Sequence, residues 1–182
     1  MNGTLGLKVY NRLKKIRDRM DKVIEHLIVG LLVLLVATIT FQVLYRFVIV
    51  KFVAFSFPFT EEIAIYSMVW GTYLAMGVCL KEGMHSSVNI LADRFTGLKK
   101  YILYFVLRIL MLFFIFFVIY NGANLAFNSF IFKTPTLQIP MAFIYLAPVV
   151  GMALMLFQII VEFMGLVFNN EDPFAIKIEG GA

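Results

Sequence analysis

The chain has 182 residues, 62% of them hydrophobic and 15% charged, with 20 phenylalanines and a formal net charge of +5. A soluble domain is nearer ~45–50% apolar, so a mean hydropathy of +0.90 excludes an ordinary soluble enzyme and points to a chain embedded in lipid. A single cysteine, Cys79, excludes an internal disulfide, and the separation of His26 from His85 argues against a paired-histidine metal or haem site.

Residues 5–22 come first and read as an amphipathic helix. Val9, Leu13, Ile16 and Met20 recur at helical spacing, and Lys8, Arg12, Lys15 and Arg19 run beside them. Such a helix suits the surface of a membrane rich in anionic phospholipids; a solvated basic flank is the competing reading. An apolar segment at 23–50 follows. As a helix it is ~42 Å long, far beyond the ~7–15 residues of a cleavable signal's apolar core, so it is expected to stay in the membrane.

The next elements are a second span at 60–82, a short interfacial helix at 86–97 and a third span at 99–132. A fourth span at 138–168 contains Pro148, which is expected to kink it, and a loose tail covers 169–182. Cys79 lies inside the second apolar run, where a packing role is expected. The runs are continuous rather than alternating, which disfavours a strand barrel. The expected fold is one all-α membrane domain over 1–182, with four transmembrane helices after an amphipathic one.

Orientation follows from the basic residues. Lys8, Arg12, Lys14, Lys15, Arg17, Arg19 and Lys22 precede the first span, and Lys81, Arg94, Lys99 and Lys100 lie between the second and third. The opposite side offers Arg46, Lys51 and Lys133. The positive-inside rule therefore places both termini in the cytoplasm.

The charges nearest the apolar runs are the candidates for chemistry. Glu61 and Glu62 open the second span behind Thr60, an expected N-cap, where the helix dipole favours acids. Arg46 ends the first span on the same side, so a bridge to Glu61 or Glu62, or to a partner's charge, is expected. Arg108 and Glu162 enter the third and leave the fourth span at similar depth, ~12 Å from the ends, and form a second expected pair. Ala64, Ser67, Gly71 and Ala75 make a small-residue face on the second span, where helices can approach closely. Asn121, Asn124 and Asn128 align on the third span, and Thr38, Gln42 and Tyr45 on the first; such groups seek partners in lipid. No nucleophile–base set, phosphate loop, metal-ligand cluster or nucleic-acid-binding pattern is evident, so neither an enzyme nor a cofactor is expected.

The segments "LYRF", "FPFTEEIAIYSMVWGTYLAMGVCLKEGMHSSVNIL" and "LQIPMAFIYLAPVVGMALM" together resemble the small membrane subunit of tripartite ATP-independent periplasmic (TRAP) transporters, the DctQ-like family. The resemblance falls on Arg46, Pro58, Thr60, Glu61, Glu62, Trp70, His85, Pro140 and Met141, while Met84 stands where the family pattern has glycine. It implies a bacterial inner-membrane protein that scaffolds a larger, elevator-type subunit carrying Na⁺ and an organic acid, sialic acid or a C4-dicarboxylate. It also implies a periplasmic binding protein as partner, and it adds Trp70, beside the small-residue face, as a packing or subunit-contact residue. Gln42 is another, since its polar row on the first span already marks an expected protein-facing side. The alternative is an independent four-helix transporter or channel, a class that needs a carboxylate well inside a helix.

Overall fold

The computed structural model describes residues 2–47, 57–81 and 98–169. They form four helices: α1 (Asn2–Phe47), α2 (Phe59–Lys81), α3 (Leu98–Asn128) and α4 (Ala142–Asn169). All four are long and apolar enough to cross a membrane. The expected interfacial helix at 86–97 and the tail beyond residue 169 lie outside the described residues, as do His85 and the last residues of the expected first span.

One boundary differs from the sequence reading. The amphipathic segment and the first span are one uninterrupted helix of 46 residues, ~69 Å long at the usual rise. The change from charged to apolar side chains around Val23 alters which solvent suits the surface. It removes no backbone hydrogen bond, so nothing ends the helix there. The predicted stripe of Val9, Ile16 and Met20 is exposed, as are Lys8, Arg12, Lys15 and Arg19. The buried side of the same turns belongs to Tyr10, Asp21 and Ile24.

The helices pack around α4. It touches α1, α2 and α3; α1 also packs along α2, whereas α3 meets only α4 among the described helices. Ile24, Leu74 and Val78 form a core between α1 and α2, joined by Leu31, Trp70 and Leu154. Leu80, Ile115, Met152 and Ile159 form a second core across α2, α3 and α4. Trp70 is therefore an internal packing residue. Cys79, expected to pack, is exposed instead.

The closest helix crossing is not where the small-residue face suggested. Ala64 and Ser67 are buried and Gly71 and Ala75 half-buried, but a side chain at Gly71 would meet only Leu31 Cβ at 3.9 Å. At Gly151 an added Cβ would stand 2.5 Å from the Tyr73 carbonyl oxygen. With Ala147 one turn earlier and 1% exposed, Gly151 forms a small-xxx-small pair on α4 that brings the α2 backbone into contact.

Gly151→Ala is therefore expected to destabilise the protein by about 1–3 kcal/mol, because backbone must move to admit the methyl group. Gly71→Ala should melt at or slightly above the wild-type temperature. Thermal unfolding in mild detergent compares the two, and an unshifted Gly151→Ala would place the close contact elsewhere.

Candidate functional site

The charged residues of the described helices gather at the two ends of the assembly. At the end where α1 begins, α4 presents Gln158 and Glu162, four residues apart and so on one face. Gln158 Nε2 donates to Asp21 Oδ1 of α1 at 2.7 Å, with both residues buried. Arg108 Nη2 of α3 donates to both carboxylate oxygens of Glu162. One stripe of α4 thus holds α1 on one flank and α3 on the other. The matched depth of Arg108 and Glu162 is legible from sequence; the Asp21 contact is not, because Asp21 sits in a basic segment that reads as surface.

The opposite end is built on the first turn of α2. Pro58 lies one residue ahead of the helix, and Thr60 is buried. The Thr60 hydroxyl donates back to the Phe57 carbonyl at 2.8 Å. It does not serve as the expected N-cap acceptor, since the helix starts one residue earlier, at Phe59. The two adjacent acids then part company. Glu62 points at the segment between α3 and α4, accepting from the Thr136 N–H at 2.8 Å and the Leu137 N–H at 2.9 Å. One turn on, the Tyr66 hydroxyl donates to the Pro140 carbonyl at 3.4 Å.

That segment is itself closed. Thr134 N–H donates to the Ile139 carbonyl at 2.9 Å, and Ile139 N–H donates to the Thr134 hydroxyl at 3.2 Å. Gln138 takes the left-handed conformation, with φ 57°, and its side-chain amide donates to the Pro135 carbonyl. Glu62 thus latches a preformed turn onto α2 through two charge-assisted bonds.

Glu61 is exposed on the other side of the turn. With Arg46, Gln42 and Thr60 it borders a cleft of about 270 Å³ between the end of α1 and the start of α2. Aromatic rings wall it: Tyr45 and Phe57 meet edge-to-face at 4.9 Å, and Phe41 lies 6.1 Å from Phe57. The expected bridge from Arg46 to Glu61 or Glu62 is not formed. Both Glu62 oxygens are taken by backbone donors, and no ion pair joins Arg46 to Glu61 among the described residues. Each charge still has a local electrostatic reason: Arg46 stands in the last turn of α1 and Glu61 in the first turn of α2, the ends where a helix dipole favours a cation and an anion respectively. The cleft therefore presents two opposite charges on an aromatic floor. The described residues hold no group of three or more histidines, cysteines and acids suited to a metal.

Two measurements probe these contacts. Glu62→Leu should raise amide hydrogen exchange at Thr136 and Leu137 above wild type while exchange in the middle of α2 stays unchanged; equal protection of those two amides would show that the turn holds without the latch. Replacing either Arg108 or Glu162 alone by Leu should lower stability by about 1–3 kcal/mol, and replacing both should lose less than either single change. Additive losses in thermal melting would show that the two side chains do not act as a pair.

The family described as tripartite ATP-independent periplasmic transporters, DctQ component, matches residues 18–169, a span that includes both charged ends and all of α2, α3 and α4. The chain is 26% identical over 137 residues to a protein of Haemophilus influenzae that carries the description TRAP transporter small permease protein, covering 75% of this chain and 81% of that one. The chain is a multi-pass membrane protein that belongs to the DctQ-component family, the small membrane subunits of TRAP transporters.

Proposed function

We propose that this chain is a non-catalytic scaffold for the large, elevator-type membrane subunit of a Na⁺-coupled TRAP transporter, which takes an organic acid from a periplasmic binding protein. The observation that carries the reading is the distribution of charge. Arg108, Glu162, Asp21 and Glu62 hold helices and a turn together, while no acidic or basic side chain interrupts α2 between Glu62 and Lys81. A carrier that moves ions or acids usually keeps charged groups facing a central pathway. Here they build the frame, and substrate and Na⁺ belong to the partner.

Within this reading the chain lies in the bacterial inner membrane with both termini in the cytoplasm, supported by the basic residues of early α1. Lys8, Arg12, Lys15 and Arg19, all exposed, meet anionic phospholipids there. Arg46 and Glu61 face the periplasmic side at the seam with the large subunit, where charges of that subunit complete both pairs. The substrate is an organic acid of the sialic acid or C4-dicarboxylate type.

Reconstitution into vesicles tests this. With a binding protein outside and an inward Na⁺ gradient, vesicles carrying both membrane subunits are expected to take up the labelled acid, and vesicles carrying this chain alone none. Gradient-driven uptake by the lone chain would overturn the scaffold reading.

A further inference from the structure

Helix α3 has one packed side and one open side. Ile115 and Ala126 are almost fully buried against α4, and a side chain at Gly122 would meet Val149 at 3.0 Å. The opposite side carries Leu110, Phe114, Phe117, Asn121, Asn124 and Asn128, every one exposed. Their spacing is four, three, four, three, four. That is the seam of a helix packed along another helix, and it runs for ~27 Å, close to the ~30 Å of a hydrocarbon core.

The upper half of the seam is made of carboxamides, and lipid tails cannot satisfy them. Asn121 Nδ2 donates to the Phe117 carbonyl at 2.8 Å, and Asn128 Nδ2 donates to Asn124 Oδ1 at 3.3 Å. A carboxamide offers two N–H donors and an oxygen with two lone pairs, so these contacts leave most of the capacity unused. The amides do not lie beyond the apolar zone. Exposed Phe127 sits among them, and exposed Phe130, Ile131 and Phe132 follow them in the chain. A polar row bracketed by exposed apolar side chains calls for a protein partner with hydrogen-bonding groups of its own.

We propose that this seam on α3 is the seat of a transmembrane helix of the large membrane subunit, which packs on Leu110, Phe114 and Phe117 and hydrogen-bonds to Asn121, Asn124 and Asn128 through its own polar side chains. The proposal rests on the reading of the chain as the small subunit of a two-part membrane complex. The lower half of the seam supplies apolar contact area, and the amides set register and exclude purely apolar helices, as single polar residues do in coiled-coil seams.

Co-expression of the two subunits, extraction in mild detergent and recovery through a tag on this chain test the seam. The wild-type chain is expected to bring the large subunit with it. The variant Asn121→Leu/Asn124→Leu/Asn128→Leu is expected to recover about tenfold less, while its own melting temperature, measured without the partner, stays unchanged because none of the described helices covers the amides. In a Cys79→Ser background, Asn124→Cys labelled with a photoreactive maleimide in the membrane should give an adduct with the mass of the two subunits together. This adduct decides the question if the triple variant fails to fold. Undiminished recovery by a folded triple variant overturns the proposal, and so do adducts formed only with lipid or with a second copy of this chain. If the wild-type chain recovers no large subunit, the small-subunit reading itself falls, and the proposal with it, before any variant is compared.

Discussion

The architecture depends on the place where α2 and α4 meet backbone to backbone. Gly151 leaves no side chain between its helix and the Tyr73 carbonyl. In lipid there is little hydrophobic gain in bringing two apolar helices together, because the tails are as apolar as the side chains; close packing and hydrogen bonds supply the association. With α2 drawn in, α4 keeps two further flanks free. Gln158 takes α1 on one and Glu162 takes α3 on the other. A single helix thus organises the chain through one glycine and two polar side chains. The long apolar surfaces of α1 and α3 stay outside.

The two ends solve the problem of charge beside hydrocarbon differently. At the end where α1 begins, Asp21, Arg108 and Glu162 have partners on other helices of the same chain. At the other end the acids of α2 divide. Glu62 is consumed by a turn whose backbone donors are fixed by Gln138 and Thr134. Glu61 and Arg46 stand where the dipoles of their own helices favour them, with no ion pair between them among the described residues. The polar anchors thus close on the chain itself, while two opposite charges stay on one aromatic cleft.

How much of this the sequence carried follows from the range of each signal. The four helices are legible because hydropathy is a local, additive property, and spans of this length have few alternatives in a bilayer. Arg108 with Glu162 is legible by counting residues from the ends of two spans. The continuity of α1 is not, since a change in side-chain polarity looks like a boundary although the backbone does not register it. The Glu62 latch has no sequence signature: its donors are backbone N–H groups more than 70 residues away. The close crossing is present in the sequence as Ala147 and Gly151, but a matching small-residue face on α2 points equally to Gly71. Composition alone does not say which of two such faces meets backbone and which meets side chains.

The pairing of Glu61 with Glu62 looks redundant as a helix start, because one acid in the first turn already answers the dipole. The geometry separates the two roles. Residues adjacent in a helix point ~100° apart, so of two neighbouring acids one can turn inward to hold a loop while the other looks out over the cleft. Exchanging Glu62 for an apolar residue would leave an acid in the first turn and remove the latch, whereas exchanging Glu61 would keep the latch and take the negative charge from the cleft. A lone acid would have to choose between closing the turn and lining the cleft. Two in a row allow the same helix terminus to do both, with the inward one fixing the turn after α3 and the outward one facing Arg46 across an aromatic floor.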